Sequence, residues 1–214
     1  MNKTEIIKIV AFGDSITEGT YGGADVSQTY PSLLQNVLTK NGINTEVVNT
    51  GIPGETAVEG LKRFKWHVLP QNPNYVLIMY GANDSYIPPG YRHPVISIED
   101  FTSSIVMLIK MAKENHICPI LMTTTPLAIE GFFDDDVSNS ESHTNYLEKF
   151  MVIIREIATK EGITLIDHYQ TWKLKDAELG ILAKYLPDGV HPNAAGNLLI
   201  AETTAVSIIR LMNE

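Results

Sequence analysis

The chain has a single cysteine, Cys118, in 214 residues. One thiol excludes an intrachain disulfide and a cysteine-based zinc site. Basic residues are scarce: 16 Lys and Arg stand against 25 Asp and Glu, for a formal net charge of −9. That balance disfavours nucleic acid or an anionic membrane as a main partner, because both require clustered positive charge. No uninterrupted apolar run approaches the roughly 18 residues of a membrane helix, so stable membrane insertion is not expected. Internal repeats, linkers and low-complexity segments are lacking too, and the chain reads as one domain over residues 1–214. Met1–Phe12 carries lysines and an apolar stretch, but Lys8 interrupts it and it runs straight into Gly13-Asp14-Ser15. It reads as a first strand, not a targeting segment, and a cytoplasmic location is the default expectation.

Hydrophobic residues make up 44% of the chain, enough for one well-buried core. Short β-branched runs alternate with longer amphipathic stretches. Strands are predicted over Ile6–Phe12, Glu46–Asn49, Tyr75–Tyr80, Pro119–Thr123 and Thr164–Ile166, mostly continuous in apolar character, as strands buried on both faces should be. Between them, apolar residues step by three or four, the spacing of one helix face. One such stripe is Phe101, Ile105, Leu108, Ile109 and Ala112. A second is Leu147, Phe150, Met151, Ile154, Ile157 and Ala158. A third is Leu198, Ala201, Ala205, Ile208, Ile209 and Met212. Ser97 and Thr56 read as helix N-caps, the latter with Glu59 three residues on, and Gly42 and Gly162 as C-terminal stops. Alternating strands and helices predict an α/β three-layer sandwich. Its five-stranded parallel sheet should have the flavodoxin-like order 2-1-3-4-5, with helices on both faces.

In open sheets of this kind, ligands bind beyond the carboxyl ends of the strands. Four loops there carry chemistry. Gly13-Asp14-Ser15 follows the first strand, Gly51 the second, Gly81-Ala82-Asn83-Asp84 the third, and Asp188-Gly189-Val190-His191 lies before the last helix. A serine hydroxyl needs an imidazole to take its proton, and the imidazole needs a carboxylate to hold its tautomer. Ser15, His191 and Asp188 supply these groups. Acyl transfer also needs donors aimed at a forming oxyanion. The candidates are the Ser15 N–H, the Gly51 N–H and the Asn83 side-chain amide.

These four blocks resemble those of the GDSL or SGNH hydrolases, whose markers are a Ser, a Gly, an Asn and a His in that order. The first block departs from the family's name only in Ile16 for Leu. The resemblance spans residues 13–192 and implies a serine esterase with Ser15 as nucleophile, His191 as base and then acid, and Asp188 as its orienter. Ser15, Gly51 and Asn83 would form the oxyanion hole. The α/β-hydrolase elbow G-x-S-x-G is not met, because Thr17 stands two residues after Ser15. No cofactor and no metal are expected. The substrate expected is a small-molecule ester, with acetyl-type esters preferred and lysophospholipid or acyl-thioester as alternatives. A flavin- or phosphate-binding module would leave Asp188-x-x-His191 and Asn83 without a role, and the presence of all the chemical groups argues against a glycan binder without turnover.

Other conspicuous residues receive plainer readings. Asp14 reads as a turn aspartate, Asp84 as a loop-fixing carboxylate and Cys118 as core. His67, His93, His116, His143 and His168 read as surface or partly buried, and Asp134–Asp136 as a solvated tip. Loops 19–30, 86–93 and 127–141, the last with Phe132 and Phe133, are long enough to shape a pocket.

Overall fold

The structure is a computed structural model that describes residues 6–128 and 143–213. Strands β1 (Ile7–Gly13), β2 (Thr45–Asn49), β3 (Tyr75–Met79), β4 (Cys118–Thr123) and β5 (Leu165–Asp167) form one sheet in the order β2-β1-β3-β4-β5. Every pairing is parallel. All strand C-termini therefore open on one edge of the sheet.

Successive strand residues face opposite layers. Val10, Phe12, Val76, Ile78 and Leu121 enter one core with α3 (Ala57–His67), α4 (Ile98–Glu114) and α5 (His143–Glu161). Ile9, Ala11, Leu77, Met79, Ile120 and Met122 enter the other with α2 (Tyr30–Lys40) and α8 (Ala194–Asn213). The short helices α1 (Ser15–Glu18) and α7 (Leu182–Tyr185), with α6 (His168–Leu179), complete the set. The central strands β1, β3 and β4 are the continuously apolar ones. β2 and β5 are edges, with only Thr45 and Ile166 buried.

Helix punctuation follows the local sequence. Thr56 and Glu59 form a reciprocal capping box at α3, and the Ser97 hydroxyl accepts from the Asp100 amide at α4. Gly42 and Gly162 take left-handed backbone angles after α2 and α5. Both predicted stripes on α4 and α5 are wholly buried.

Three expectations need correction. Cys118 is exposed, because it opens β4 at the edge of the sheet opposite the strand C-termini. His143 and His168 are buried, not superficial. β5 is so short that His168 turns directly into the core, where its Nε2 lies 3.3 Å from the Thr204 hydroxyl of α8. On α8, Leu198 faces outwards, and the buried face runs through Asn197, Ile200, Ala201, Thr204, Ala205 and Ile208. Helix α8 is long and apolar enough to cross a membrane by length and composition, with a mean hydropathy of 1.2. Here its inner face packs on α2 and β5 as a core helix.

Candidate active site

β1 ends at Gly13, where a Cβ would collide with Thr17 and the Met79 carbonyl. The chain turns at Asp14, whose Oδ1 accepts from the Ile16 amide at 2.9 Å and caps α1. Ser15 is thereby the first residue of α1 and remains 7% exposed at the sheet edge. As the first helical residue, its N–H has no carbonyl four positions back to meet.

At the other end of the chain, Asp188 folds its carboxylate back on the next turn. Oδ1 accepts from the Val190 and His191 amides at 2.9 and 2.7 Å. Oδ2 lies 2.6 Å from Nδ1 of His191, and Nε2 of His191 lies 2.9 Å from Oγ of Ser15. Partial burial pulls the Asp188 carboxyl upward, but the two amides and the imidazole outweigh it and hold the group below the usual carboxylate range. An ionised carboxylate only accepts, so Nδ1 carries the proton and Nε2 offers its lone pair to the serine hydroxyl. Ser15, His191 and Asp188 thus meet in the geometry that proton removal from a nucleophile requires.

The other two block residues also reach this edge. Gly51 packs so closely on α1 that a Cβ would run into the backbone from Asp14 to Glu18. Its N–H donates to Asn49 Oδ1 at 3.0 Å, and would have to leave that acceptor to meet an oxyanion. The Asn83 amide donates to the Glu55 carbonyl at 3.0 Å and to Asp14 Oδ2 at 3.3 Å.

Two of the three loops singled out above contact the turn that carries His191. Tyr21 stands with its ring centroid 5.3 Å from that of His191, and Gly22 packs on the His191 and Pro192 carbonyls. The Ala128 amide donates to the Gly189 carbonyl at 2.9 Å, tying the start of the 127–141 loop to the histidine turn. Phe132, Phe133 and Asp134–Asp136 lie outside the described residues. In the 86–93 loop, Tyr86 sets its ring edge-on to His143. Among the described residues no group of His, Cys, Asp and Glu is arranged to hold a metal ion.

Sequence reasoning missed several residues here. Asn197, on the buried face of α8, accepts from the Tyr30 amide and donates to the Gly19 and Pro192 carbonyls. Arg63 lies on the inner face of α3 and is paired with Glu55 at 2.5 Å, with the Tyr80 hydroxyl donating to Glu55 at 2.6 Å. Both left a signal: a polar side chain on an otherwise apolar helix stripe must find a partner inside.

Comparison with known proteins agrees with this geometry. The GDSL-like Lipase/Acylhydrolase family model matches residues 11–199. An acetylxylan esterase of Geobacillus stearothermophilus is 29% identical, over 91% of this chain and 90% of its own. The Thioesterase 1/protease 1/lysophospholipase L1 of Escherichia coli (strain K12) is 26% identical, over 96% and 85%. The crystal structure of a lipase/acylhydrolase from Enterococcus faecalis superposes with a TM-score of 0.77 at 26% identity, covering 94% of this chain and 95% of that one. With four blocks converging on one edge and a family match over nearly the whole chain, this protein belongs to the GDSL-like lipase/acylhydrolase family and is a carboxylic ester hydrolase.

Proposed function

We propose that Ser15 is the nucleophile of an acyl-enzyme mechanism, with His191 as general base and then acid and Asp188 as its orienter. The observation that carries the reading is the 2.9 Å contact between Nε2 of His191 and Oγ of Ser15, with Asp188 2.6 Å behind the ring. His191 takes the hydroxyl proton as Ser15 attacks the ester carbonyl. The tetrahedral oxyanion meets the Ser15 N–H, the Gly51 N–H and the Asn83 amide. His191 returns the proton to the leaving alcohol, and water then repeats the sequence to release the acid.

The substrate proposed is a small acyl ester, of acetyl type, on carbohydrate. The relative named as an acetylxylan esterase supports it. The relative named as a thioesterase and lysophospholipase marks the alternative that a substrate panel must separate. The test is hydrolysis of acetylated xylo-oligosaccharides, a chain-length series of p-nitrophenyl esters, lysolipids and acyl-thioesters, run beside Ser15→Ala. Turnover of acetyl esters that vanishes in a folded Ser15→Ala protein is the expected result. Undiminished turnover in that variant removes Ser15 from the mechanism, and a preference for long acyl chains removes the acetyl reading.

A further inference from the structure

The geometry points to Asp14 as a positioning residue that holds the Asn83 amide beside the Ser15 turn, an inference that rests on the esterase reading above. Asp14 is fully buried and its two oxygens divide their work. Oδ1 accepts from the Ile16 amide and shapes the turn that carries Ser15, while Oδ2 accepts from Nδ2 of Asn83 at 3.3 Å. No other side chain among the described residues is bonded both to the nucleophile's turn and to the Asn83 amide.

The hydrogens on Nδ2 can be accounted for. The group has two. One meets the Glu55 carbonyl at 3.0 Å, which identifies the atom as nitrogen, since a carbonyl only accepts. The other meets Asp14 at the longer distance. A single bond would leave the amide plane free to tilt about that bond. The second acceptor fixes the plane, and its length leaves that hydrogen able to be shared with an oxyanion forming at Ser15.

Both anchors are themselves held. The Glu55 carboxylate takes Nε and Nη2 of Arg63 and the Tyr80 hydroxyl. Nη2 of Arg63 also reaches the Gly13 carbonyl at 3.2 Å, and Gly60 leaves room for the Tyr80 ring. Around Asp14 the facing ionisable groups are Glu55 from the β2–α3 loop, Asp84 beyond β3, Tyr30 of α2 and Tyr80 after β3. Arg63 is committed to Glu55, and burial pushes the Asp14 carboxyl up to about 7, with Asp84 and Glu55 adding to the effect against the Ile16 amide. A neutral amide at position 14 therefore removes the acceptor facing Asn83 without stranding a compensating cation.

Asp14→Asn keeps the cap to Ile16 and sets a donor against the Asn83 donor, so it breaks one link selectively. The experiment measures kcat and KM on p-nitrophenyl acetate for the unmutated protein, Asp14→Asn, Asn83→Ala and the double variant, with fluorophosphonate labelling of Ser15 as a parallel readout. Loss of an oxyanion donor costs about 100- to 1,000-fold in kcat. Asp14→Asn is expected to lower kcat by about 10- to 100-fold, within that ceiling, with little change in KM. In the Asn83→Ala background it should add almost nothing. Ser15 should still label to completion. Where Asp14→Asn does not fold, Asp14→Ser keeps an N-cap acceptor and is too short to reach Asn83. Unchanged kcat in the variant overturns the inference. So does an equal loss with and without the Asn83 side chain, which would place the effect in the Ser15 turn alone. An unmutated protein that neither turns over nor labels overturns the esterase reading and this inference together. Labelling with an indifferent Asp14 overturns only the inference.

Discussion

The side-chain amide of Asn197 donates to the Pro192 carbonyl at 3.0 Å, one residue beyond His191. The same Nδ2 reaches the Gly19 carbonyl at 3.0 Å, and Oδ1 accepts from the Tyr30 amide at 2.9 Å. One buried residue of α8 therefore ties the loop leaving the serine helix to the loop bearing the imidazole.

Asn197→Ala leaves three backbone groups inside the protein without this partner. Each such group costs about 1–3 kcal/mol, reduced where a water enters the space. The variant is expected to lose about 2–4 kcal/mol, a fall in Tm of about 5–10 °C for a chain of this size. Differential scanning calorimetry checks it. A Tm within 1–2 °C of the unmutated protein, again by the size scaling, would show that the clamp is dispensable.

Asp188→Asn retains a side-chain oxygen for the Val190 and His191 amides but offers Nδ1 a donor or a neutral oxygen instead of a carboxylate. The imidazole loses the reason to keep its proton on Nδ1. By the behaviour of serine triads, kcat should fall by about 10⁴-fold with the fold intact. Steady-state kinetics with a circular dichroism control decides it, and a loss under tenfold would assign Asp188 a purely structural part.

Tyr21 is 58% exposed, yet its ring lies against His191. When His191 becomes imidazolium, the aromatic face favours the charged form by about 0.5–1 kcal/mol, as at other exposed sites. Tyr21→Ala should thus lower kcat by about two- to fivefold, and Tyr21→Phe should restore most of it. Equal kcat for all three proteins on an acetate ester too small to touch Tyr21 would show that the ring contact has no catalytic consequence.

Buried titratable groups make opposite predictions for stability against pH. Burial pushes the Asp84 carboxyl up to about 7 although the Ala57 amide and neighbouring amides pull it down. Between the unfolded value near 3.8 and about 7 the folded protein binds the extra proton. Stability contributed by that proton is present at low pH and is lost as pH rises through about 7, by an amount on the order of 4 kcal/mol. Asp84→Asn, which keeps an acceptor for Ala57, should flatten this decline in urea unfolding between pH 5 and 8.

His168 behaves in the other sense. Burial pulls its imidazole down from 6.5 to about 4, against a smaller upward pull from Asp167. The unfolded chain binds the extra proton in that window, so stability falls as pH drops from 6.5 towards 4, by about 3 kcal/mol. His168→Gln should remove this dependence, and an unchanged slope of unfolding free energy against pH below 6.5 would contradict a neutral buried imidazole.

Much of the scaffold was legible because its determinants are local. The α4 and α5 stripes, the Thr56–Glu59 box and the Ser97 cap each lie within a few residues of chain, where helix geometry alone dictates who meets whom. Asp188 and His191 were legible for the same reason, being three residues apart in one turn. Other features were not. Leu198 and Asn197 are neighbours, and which of them faces inwards depends on how α8 is rolled against α2. The burial of His168 depends on where β5 stops. Neither the Gly51–Asn49 contact nor the Asn83–Asp14 contact can be read from spacing, since each joins a polar group to whatever acceptor the folded loops bring near.

The order of elements, the parallel alternation and the placing of Ser15, Asp188 and His191, the reacting groups proposed above, in turns beyond the strands were already legible in the amino-acid sequence, through short-range patterns of apolar period, capping and turn chemistry. The meeting of Ser15 with His191, the roll of α8 and the pairing of Arg63 with Glu55 were decided by tertiary structure. The physical reason is one of range. A periodic pattern acts over a turn or a strand, whereas a hydrogen-bond distance between the two ends of the chain is the resultant of sheet register, core packing and loop closure across the whole domain.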